Sequence, residues 1–274
     1  MRPEDTDALC EIVDADRLPG QPRCSTAAVE STLAGACALS SWWWSQLRAT
    51  RTVAVTSGDE LLGAGAVGQR TDGFRYILWL HGREEPAVVS SLLVDLLRGV
   101  RRSHPTFAFC FATDLAVGLE GLPRQRRPAT YAALLGRGFT ATDRWLYLHA
   151  RGPGPAATGT FRTLGHHGEM RVEMSVDGDT VGEAEMSVPH PGSGVLWWLE
   201  VDGRHRRRGY GRQLLRAARQ ALAGEGATET ILFVDHDRPS ERDRRPALSL
   251  YRSEGFEVID HLWSFARGEG AGWC

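Results

Sequence analysis

The chain contains an internal repeat, and this repeat constrains the fold more than any other feature of the sequence. The stretch A-A-L-L-G-R-G-F-T-A-T-D-R-W-L aligns with S-L-Y-R-S-E-G-F-E-V-I-D-H-L-W on a shared Gly-Phe pair, at an offset of 117 residues. Two further pairs of segments align, Y-I-L-W-L with V-L-W-W-L and S-L-L-V-D-L-L with R-Q-L-L-R-A-A. So long a period indicates two duplicated domains and not a solenoid. The length of 274 residues suits two domains of ordinary size.

Each half mixes strand-like and helix-like segments. In the second half, a buried-type strand over residues 195–199 is followed by a helical pattern over residues 214–222. Strands with interspersed helices predict α/β (α+β) sheet domains. Residues 151–157 are rich in glycine and proline, which is typical of a linker. The sequence therefore predicts one domain over residues 1–151 and a second over residues 152–274.

The composition excludes several classes of function. The 32 basic residues nearly balance the 34 acidic ones, so no global field favours nucleic acid. No apolar run approaches the length of a membrane span, and the polar start M-R-P-E-D is unlike a signal peptide. The five cysteines are widely spaced, without CxxC pairs or metal-ligand spacing. We expect a cytoplasmic protein without a metal site, active as a monomer or homodimer.

A strand, a glycine-containing turn and a helix start follow one another in the second half. The turn is R-R-R-G-Y-G, at residues 206–211. The first N–H groups of a helix have no partner inside it, and the helix dipole places partial positive charge there. Gly209 and Gly211 leave room for a close approach, and the arginines add charge. This pattern predicts a cradle for a pyrophosphate.

Two motifs of the second half resemble those of the GCN5-related N-acetyltransferase (GNAT) family. V-D-G-R-H-R-R-R-G-Y-G is similar to the acyl-CoA-binding signature, and A-L-S-L-Y-R-S-E-G-F to the closing motif. The positions that match are Val201, Arg206, Gly209, Gly211, Ala247, Leu250, Tyr251, Gly255 and Phe256. The resemblance implies two tandem GNAT-type domains, each a central mixed, largely antiparallel sheet flanked by helices.

The resemblance also implies acetyl-CoA, or another acyl-CoA, as the cofactor. Family members bind it where two parallel strands splay apart, here between residues 199–201 and 231–234. Backbone groups hold the pantetheine arm and the acyl carbonyl, and the turn holds the pyrophosphate. The implied cofactor-binding residues are Leu199, Val201, Arg206, Arg207, Arg208, Gly209, Tyr210 and Gly211.

Catalysis in the family is direct attack of an amine on the thioester. Tyr251 matches the tyrosine that usually protonates the CoA sulfur, although a packing role before the Gly-Phe pair is the alternative. The family does not assign a fixed position to the base. Glu200 on the first strand and Asp235 after the next are the candidates for this role, and a solvated carboxylate is the alternative for each.

Candidate acceptor-binding residues come from both halves. Glu183 and Glu185 share one face of a predicted hairpin strand and could bind a cationic amine, and Trp197 could wall the pocket. The second half lacks room for the two helices that usually form the acceptor wall. A helix predicted from about residue 26 to 44 carries Trp43, so we expect the first domain to help build the acceptor pocket. Core packing is the alternative for this tryptophan.

The first half is predicted to be a degenerate copy. Its cradle position, residues 85–90, has no glycine, and Leu134 stands where the other copy has Tyr251. The second half also departs from the family pattern at one position. Family members often carry an asparagine three residues before the alanine of the closing motif, here Ala247, and this chain has Arg244 there. The first domain is thus expected to lack CoA binding and catalysis.

The predicted function is an acetyl-CoA-dependent N-acyltransferase that acetylates a primary amine of a small molecule, such as an antibiotic or specialised metabolite. One alternative is acetylation of a protein N-terminus or lysine. Another, from a different class, is a non-catalytic acyl-CoA-binding regulatory module.

Overall fold

The structure is a computed structural model, and it describes residues 5–37, 41–101, 103–116, 118–166, 169–235 and 243–268. The α-helices of this part are α1 (Asp5–Ala15), α2 (Thr26–Leu33), α3 (Ser41–Trp44), α4 (Pro86–Leu96), α5 (Pro128–Gly136), α6 (Tyr210–Gly224) and α7 (Arg245–Ser253). The strands are β1 (Leu47–Ser57), β2 (Glu60–Arg70), β3 (Arg75–His81), β4 (Thr106–Ala108), β5 (Leu122–Pro123), β6 (Thr140–Arg151), β7 (Thr160–His166), β8 (Glu169–Val176), β9 (Asp179–His190), β10 (Ser193–Val201), β11 (Glu229–Asp235) and β12 (Glu257–Arg267). This mixture of helices with mostly antiparallel strands confirms the predicted fold class.

The chain forms two compact units. The N-terminal unit comprises Met1–Leu18, Arg23–Arg144 and Asp260–Cys274, and the C-terminal unit comprises Pro19–Pro22 and Trp145–Ile259. Each unit therefore contains chain from both halves of the sequence. The second half of β6 belongs to the C-terminal unit, and most of β12 belongs to the N-terminal unit.

This division differs from the boundary between residues 151 and 152 that the sequence predicts. The glycine-proline stretch begins where β6 is still paired with β11, from Trp145↔Asp235 to Arg151↔Glu229. Leu148 on β6 is fully buried in the core of the C-terminal unit. The part of β6 that directly precedes this linker-like stretch therefore belongs to the C-terminal unit.

In the N-terminal unit the strand order is β1-β2-β3-β4-β12, and β5 also pairs with β12. β3 and β4 are parallel, and the other pairs are antiparallel. The predicted helix over residues 26–44 is wrong in extent, because α2 ends at Leu33. Gly35 follows with a φ of 82°, a left-handed conformation that cannot continue a helix.

In the C-terminal unit the strand order is β6-β11-β10-β9-β8-β7. Every neighbouring pair is antiparallel except β10 and β11. The hairpin of β8 and β9 turns at Asp177 and Gly178, both with positive φ, as a two-residue turn of the Asp-Gly type requires. Leu214, Leu215 and Leu222 on α6 are fully buried in the core that also contains residues of β8 and β9. The helix therefore covers one face of this sheet.

Among the residues that the structure describes, no helix combines the length and the apolar composition that a membrane crossing requires.

Candidate active site

The site is built around a gap between two parallel strands. β10 and β11 pair over four residues, and their ladder ends at Leu196↔Leu232. Beyond this point, within these two fully described strands, β10 pairs only with β9 as far as Val201, and β11 only with β6 as far as Asp235. β10 therefore presents backbone groups to the gap that have no strand partner, which is what an extended ligand needs in order to bind there.

A β-bulge lies at the start of the gap. The register between β9 and β10 shifts between Leu196 and Trp198, which makes Trp197 the extra residue. The Trp197 indole Nε1 donates to Ser187 Oγ at 2.8 Å, and its ring lies 6.4 Å from that of Phe233 on β11. The side chain remains 52% exposed. The predicted acceptor residue Trp197 thus lines the mouth of the gap.

The predicted cradle leads from β10 into α6. Gly209 is the N-cap of α6 with a φ of 84°. In this fully described stretch, no backbone N–H from Arg206 to Gly211 donates a hydrogen bond, and the first donor is Arg212, to the Gly209 carbonyl at 3.1 Å. Arg207 also has a positive φ, of 66°, which is rare for a residue with a side chain. Unpaired amides at a helix start are a site for an anion.

Two contacts of Arg206 fold it back onto the end of β10. Its Nε donates to the Val201 carbonyl at 3.0 Å, and its Nη2 lies 3.5 Å from Glu200 Oε1. A Cβ placed on Gly211 would meet Leu250 of α7 at 3.5 Å and Val201 at 3.7 Å. The cradle, the end of β10 and α7 are therefore neighbours.

Tyr251 lies on α7, with its ring 5.8 Å from that of Phe256. Burial raises the pKa of its phenol to about 12, and the positive charge of Arg244 offsets part of this rise. Arg244 directly precedes α7 and forms a contact ion pair with Asp235 at the end of β11. The structure thus joins Asp235 to the helix of Tyr251 through an arginine.

A comparison with protein families matches part of the chain. Residues 172–258 match the family model described as "Acetyltransferase (GNAT) domain". Residues 172–258 form a GNAT acetyltransferase domain. The match covers β8 to the start of β12, and it includes the gap, the cradle and Tyr251.

Solved structures share the fold over the whole chain. A GCN5-related N-acetyltransferase from Sphaerobacter thermophilus has a TM-score of 0.61 at 15% identity, covering 100% of this chain and 95% of its own. A tandem GNAT protein from the clavulanic acid biosynthesis pathway has a TM-score of 0.55 at 12% identity, covering 100% and 98%. The glucosamine N-acetyltransferase region of a fungal multi-domain GH3 β-N-acetylglucosaminidase has a TM-score of 0.56 at 15% identity, covering 97% and 37%. The search of curated proteins finds no match.

The family match supports an acetyl-CoA-dependent acetyltransferase, since GNAT domains take the acyl group from acetyl-CoA. The solved structures support the tandem GNAT fold. Within the described parts of the chain, no group of three or more His, Cys, Asp or Glu side chains is arranged to hold a metal ion.

One face of the GNAT sheet carries a row of charged side chains that leads to the gap. Glu173 on β8 is opposite Glu183 on β9, which is opposite Glu200 on β10. Arg171 lies between the carboxylates of β9, 2.7 Å from Glu185 and 3.5 Å from Glu183. The predicted residues Glu183, Glu185 and Glu200 therefore share one face of the sheet.

A cavity of about 570 Å³ opens at the bulge end of this face. Its lining includes Arg171, Glu185 and Trp197, together with Met170 and Met186. A volume of this size is within the range of small-molecule sites.

A buried carboxylate that the sequence reasoning missed joins α6 to α7. Glu254, with a side chain 2% exposed, accepts two hydrogen bonds from Arg216, at 2.7 and 3.0 Å. Its Oε1 also lies 3.0 Å from Nε of Arg212, which is one residue beyond the cradle. This network fixes Tyr251 relative to the start of α6. In the sequence, the Glu254 network is indicated only by the arginines that recur at every third or fourth residue of α6.

Trp43 lies on α3 in the N-terminal unit. Its ring stacks on Phe111 with centroids 3.4 Å apart and meets the edge of Tyr76 at 4.9 Å. These aromatic contacts account for its partial burial. Its role in acceptor binding stays a prediction.

In the N-terminal unit, a charge network lies immediately before residues 85–90, the counterpart of the cradle. After β3, Arg83 and Glu84 both have positive φ, and the Glu84 carboxylate accepts from the Thr130 N–H at the start of α5 at 2.9 Å. Arg127 lies 3.2 Å from Glu84 and 3.3 Å from Asp16. The start of α5 is thus occupied by the protein's own carboxylate, and Leu134 is fully buried.

Proposed function

We propose that this protein is an acetyl-CoA-dependent N-acyltransferase that acetylates a primary amine of a small molecule at the gap between β10 and β11. The observation that carries the proposal is that β10 runs from this gap into a turn and helix start, residues 206–211, whose backbone amides are unpaired. In this proposal the edge of β10 would meet the pantetheine arm, the helix start would meet the pyrophosphate, and Tyr251 would meet the thioester sulfur.

The acyl donor fits the chemistry of the path. The backbone edge of Leu199 to Val201 offers donors and acceptors to an extended amide-bearing arm. The amides of residues 206–211 and the guanidinium groups of Arg207 and Arg208 offer positive charge to a pyrophosphate. The side-chain hydrogen of Gly211 lets a phosphate approach closely, although the protein itself has room for a methyl group there.

The proposed chemistry needs a group that takes a proton from the amine and one that gives a proton to the sulfur. Glu200 is favoured as the first, because it lies on the gap strand and its ion pair with Arg206 is long, at 3.5 Å. Asp235, the other predicted candidate, is held in a contact ion pair by Arg244. Tyr251 is the proposed proton donor, and its raised pKa keeps it protonated at neutral pH.

The acceptor is proposed to be a small amine that is cationic before it reacts. The row of Glu173, Glu183 and Glu200 attracts an ammonium group and leads it to the gap. Trp197 and Trp198, which are 52% and 44% exposed, offer ring faces to an amine or a sugar ring. Amino sugars and polyamines carry a cationic amine and can pack against an aromatic ring. The fungal structure with a glucosamine N-acetyltransferase region supports an amino sugar.

The test has a binding step and a turnover step. Calorimetry with acetyl-CoA should give one site in the wild-type protein, weakened strongly by Gly209→Glu, which adds a carboxylate to the cradle. The matched control is Ala87→Glu in α4 of the degenerate copy, which should leave binding unchanged. Equal binding by Gly209→Glu would refute the site.

Thiol release from acetyl-CoA is then measured with amino sugars, polyamines and short peptides. Release that is fast with small amines and slow with peptides supports the proposal. The opposite order identifies a protein acetyltransferase, and tight binding without release to any acceptor identifies a regulatory module.

A further inference from the structure

Arg244 occupies a position from which it can act on Tyr251. It is the residue immediately before α7, and Tyr251 is seven residues later, two turns along the same face of the helix. Its guanidinium is held by the contact ion pair with Asp235, and both side chains remain partly exposed, at 25% and 40%. The arginine is therefore fixed at the junction of the gap strand β11 and the tyrosine helix.

The acidity of Tyr251 poses a physical problem for the proposed reaction. An ordinary thiol has a pKa of about 8.5, whereas burial raises that of the Tyr251 phenol to about 12. Proton transfer from this phenol to a thiolate is therefore unfavourable unless the resulting phenolate is stabilised. The positive charge of Arg244 lowers the pKa of the phenol and so offsets part of the rise that burial causes.

We propose that Arg244 is a positioning residue that stabilises the phenolate of Tyr251 while the leaving thiolate is protonated, and that Asp235 serves to hold Arg244. As the carbon–sulfur bond breaks, its electron pair goes to sulfur, and the Tyr251 hydroxyl gives its proton to that sulfur. The charge of Arg244 then stabilises the phenolate, which regains a proton from water when the thiol leaves. This inference rests on the proposed function, and it assigns the proton-accepting role to Glu200 alone.

The direct test follows the ionisation of Tyr251 without turnover. The full chain is produced with 3-fluorotyrosine, whose phenol is more acidic, so that titration is complete while the protein is folded. The chain has five tyrosines, and the ¹⁹F signal of position 251 is the one that Tyr251→Phe removes. In Arg244→Gln, the titration midpoint of this signal should rise by about one pH unit. Arg244→Lys, which keeps the charge, should have a titration midpoint close to that of wild type.

Arg245→Gln is the matched control, because it removes the same charge one residue away. Arg245 is 85% exposed and pairs with Asp243, so its loss should leave the midpoint of position 251 unchanged. An unchanged midpoint in Arg244→Gln, or an equal shift in Arg245→Gln, would overturn the inference.

Turnover separates this inference from the proposed function. Where thiol release is observed, Arg244→Gln should lower kcat up to about tenfold, the equivalent of one pKa unit, while KM for acetyl-CoA stays unchanged. An unchanged kcat, or a rise in KM alone, counts against the role of Arg244. A shifted ¹⁹F midpoint in a wild-type protein that releases no thiol counts against the proposed function and leaves the electrostatic coupling established.

Discussion

The hydroxyl of Tyr251 is protonated at neutral pH, since burial raises its pKa to about 12. A proton donor must start the reaction in this state, and the ring is held by Phe256 and by the network of Glu254. Removing the hydroxyl therefore removes the proton without moving the helix.

Tyr251→Phe should lower kcat for acyl transfer by about a hundredfold, the lower range for loss of a general acid. The affinity for acetyl-CoA, measured by calorimetry, should stay within twofold of wild type. Tyr131→Phe, on α5 of the N-terminal unit, is the control and should leave both quantities unchanged. A loss of affinity equal to the loss of rate would assign Tyr251 to binding instead.

The two glycines of the proposed cradle differ in backbone conformation. Gly209 has a φ of 84° with open space around it, whereas Gly211 has an ordinary φ and contacts at van der Waals distance. Gly209→Ala should cost about 1 kcal/mol in the free energy of unfolding, because a side chain disfavours the left-handed conformation. Gly211→Ala should leave unfolding unchanged. Urea denaturation measures both, and equal costs would contradict the assignment of strain to Gly209.

At the level of elements, a buried charge network joins α1, β3 and α5 in the N-terminal unit. Asp16 follows α1, and it contacts His81 at 2.8 Å and Arg127 at 3.3 Å. The other ring nitrogen of His81 lies 2.8 Å from the Leu115 carbonyl. Burial by itself would raise the pKa of Asp16, but Arg127 and His81 outweigh it and the pKa is lowered.

The stability of the N-terminal unit should therefore depend on pH through Asp16. A carboxyl with a lowered pKa stabilises the fold above its unfolded value of about 3.9, and this contribution is lost as the pH falls through the folded value. Asp16→Asn should cost about 3 kcal/mol at pH 7, because it removes one of the two carboxylates that contact the buried Arg127 guanidinium. Urea denaturation measures the unfolding free energy of this variant and of wild type. The difference between the two values should become smaller as the pH falls towards about 3.

Asp7→Asn is the control for this prediction, since Asp7 lies on the exposed side of α1. It should change the unfolding free energy by less than about 0.5 kcal/mol at either pH. A difference between Asp16→Asn and wild type that is constant with pH would show that the carboxylate acts by packing and not by charge.

The sequence predicted the elements whose signals are local. The glycine turn before α6, the Asp-Gly hairpin and the Gly-Phe ending of α7 each depend on residues within about one turn of each other, so their spacing is visible in the chain. The networks of Glu84 and Glu254 were missed, because their partners Arg127 and Arg216 are 43 and 38 residues away. A charged residue that pairs at such a distance has the same local pattern as a solvated one.

At the level of the whole molecule, the composition of the two units follows from the strands that close their sheets. Leu148 of β6 is fully buried in the core of the C-terminal unit, and Phe265 of β12 is 1% exposed in the core of the N-terminal unit. Each unit is thus completed by the last strand of the other half of the repeat. The glycine-proline stretch after residue 151 could not reveal this, because composition marks where a loop begins and not which sheet the preceding strand joins.

Hydrogen exchange on the full chain can test this composition. Leu215→Ala on α6 and Leu92→Ala on α4 each remove a fully buried side chain from one core, at a cost of about 3 kcal/mol. Leu215→Ala should speed amide exchange about a hundredfold across residues 145–151, together with β10 and β11, and leave residues 261–267 protected. Leu92→Ala should do the reverse. If amide exchange of residues 145–151 is instead accelerated by Leu92→Ala, these residues belong to the N-terminal unit. That result would refute the assignment of β6 to the C-terminal unit and would favour a domain boundary at residue 151.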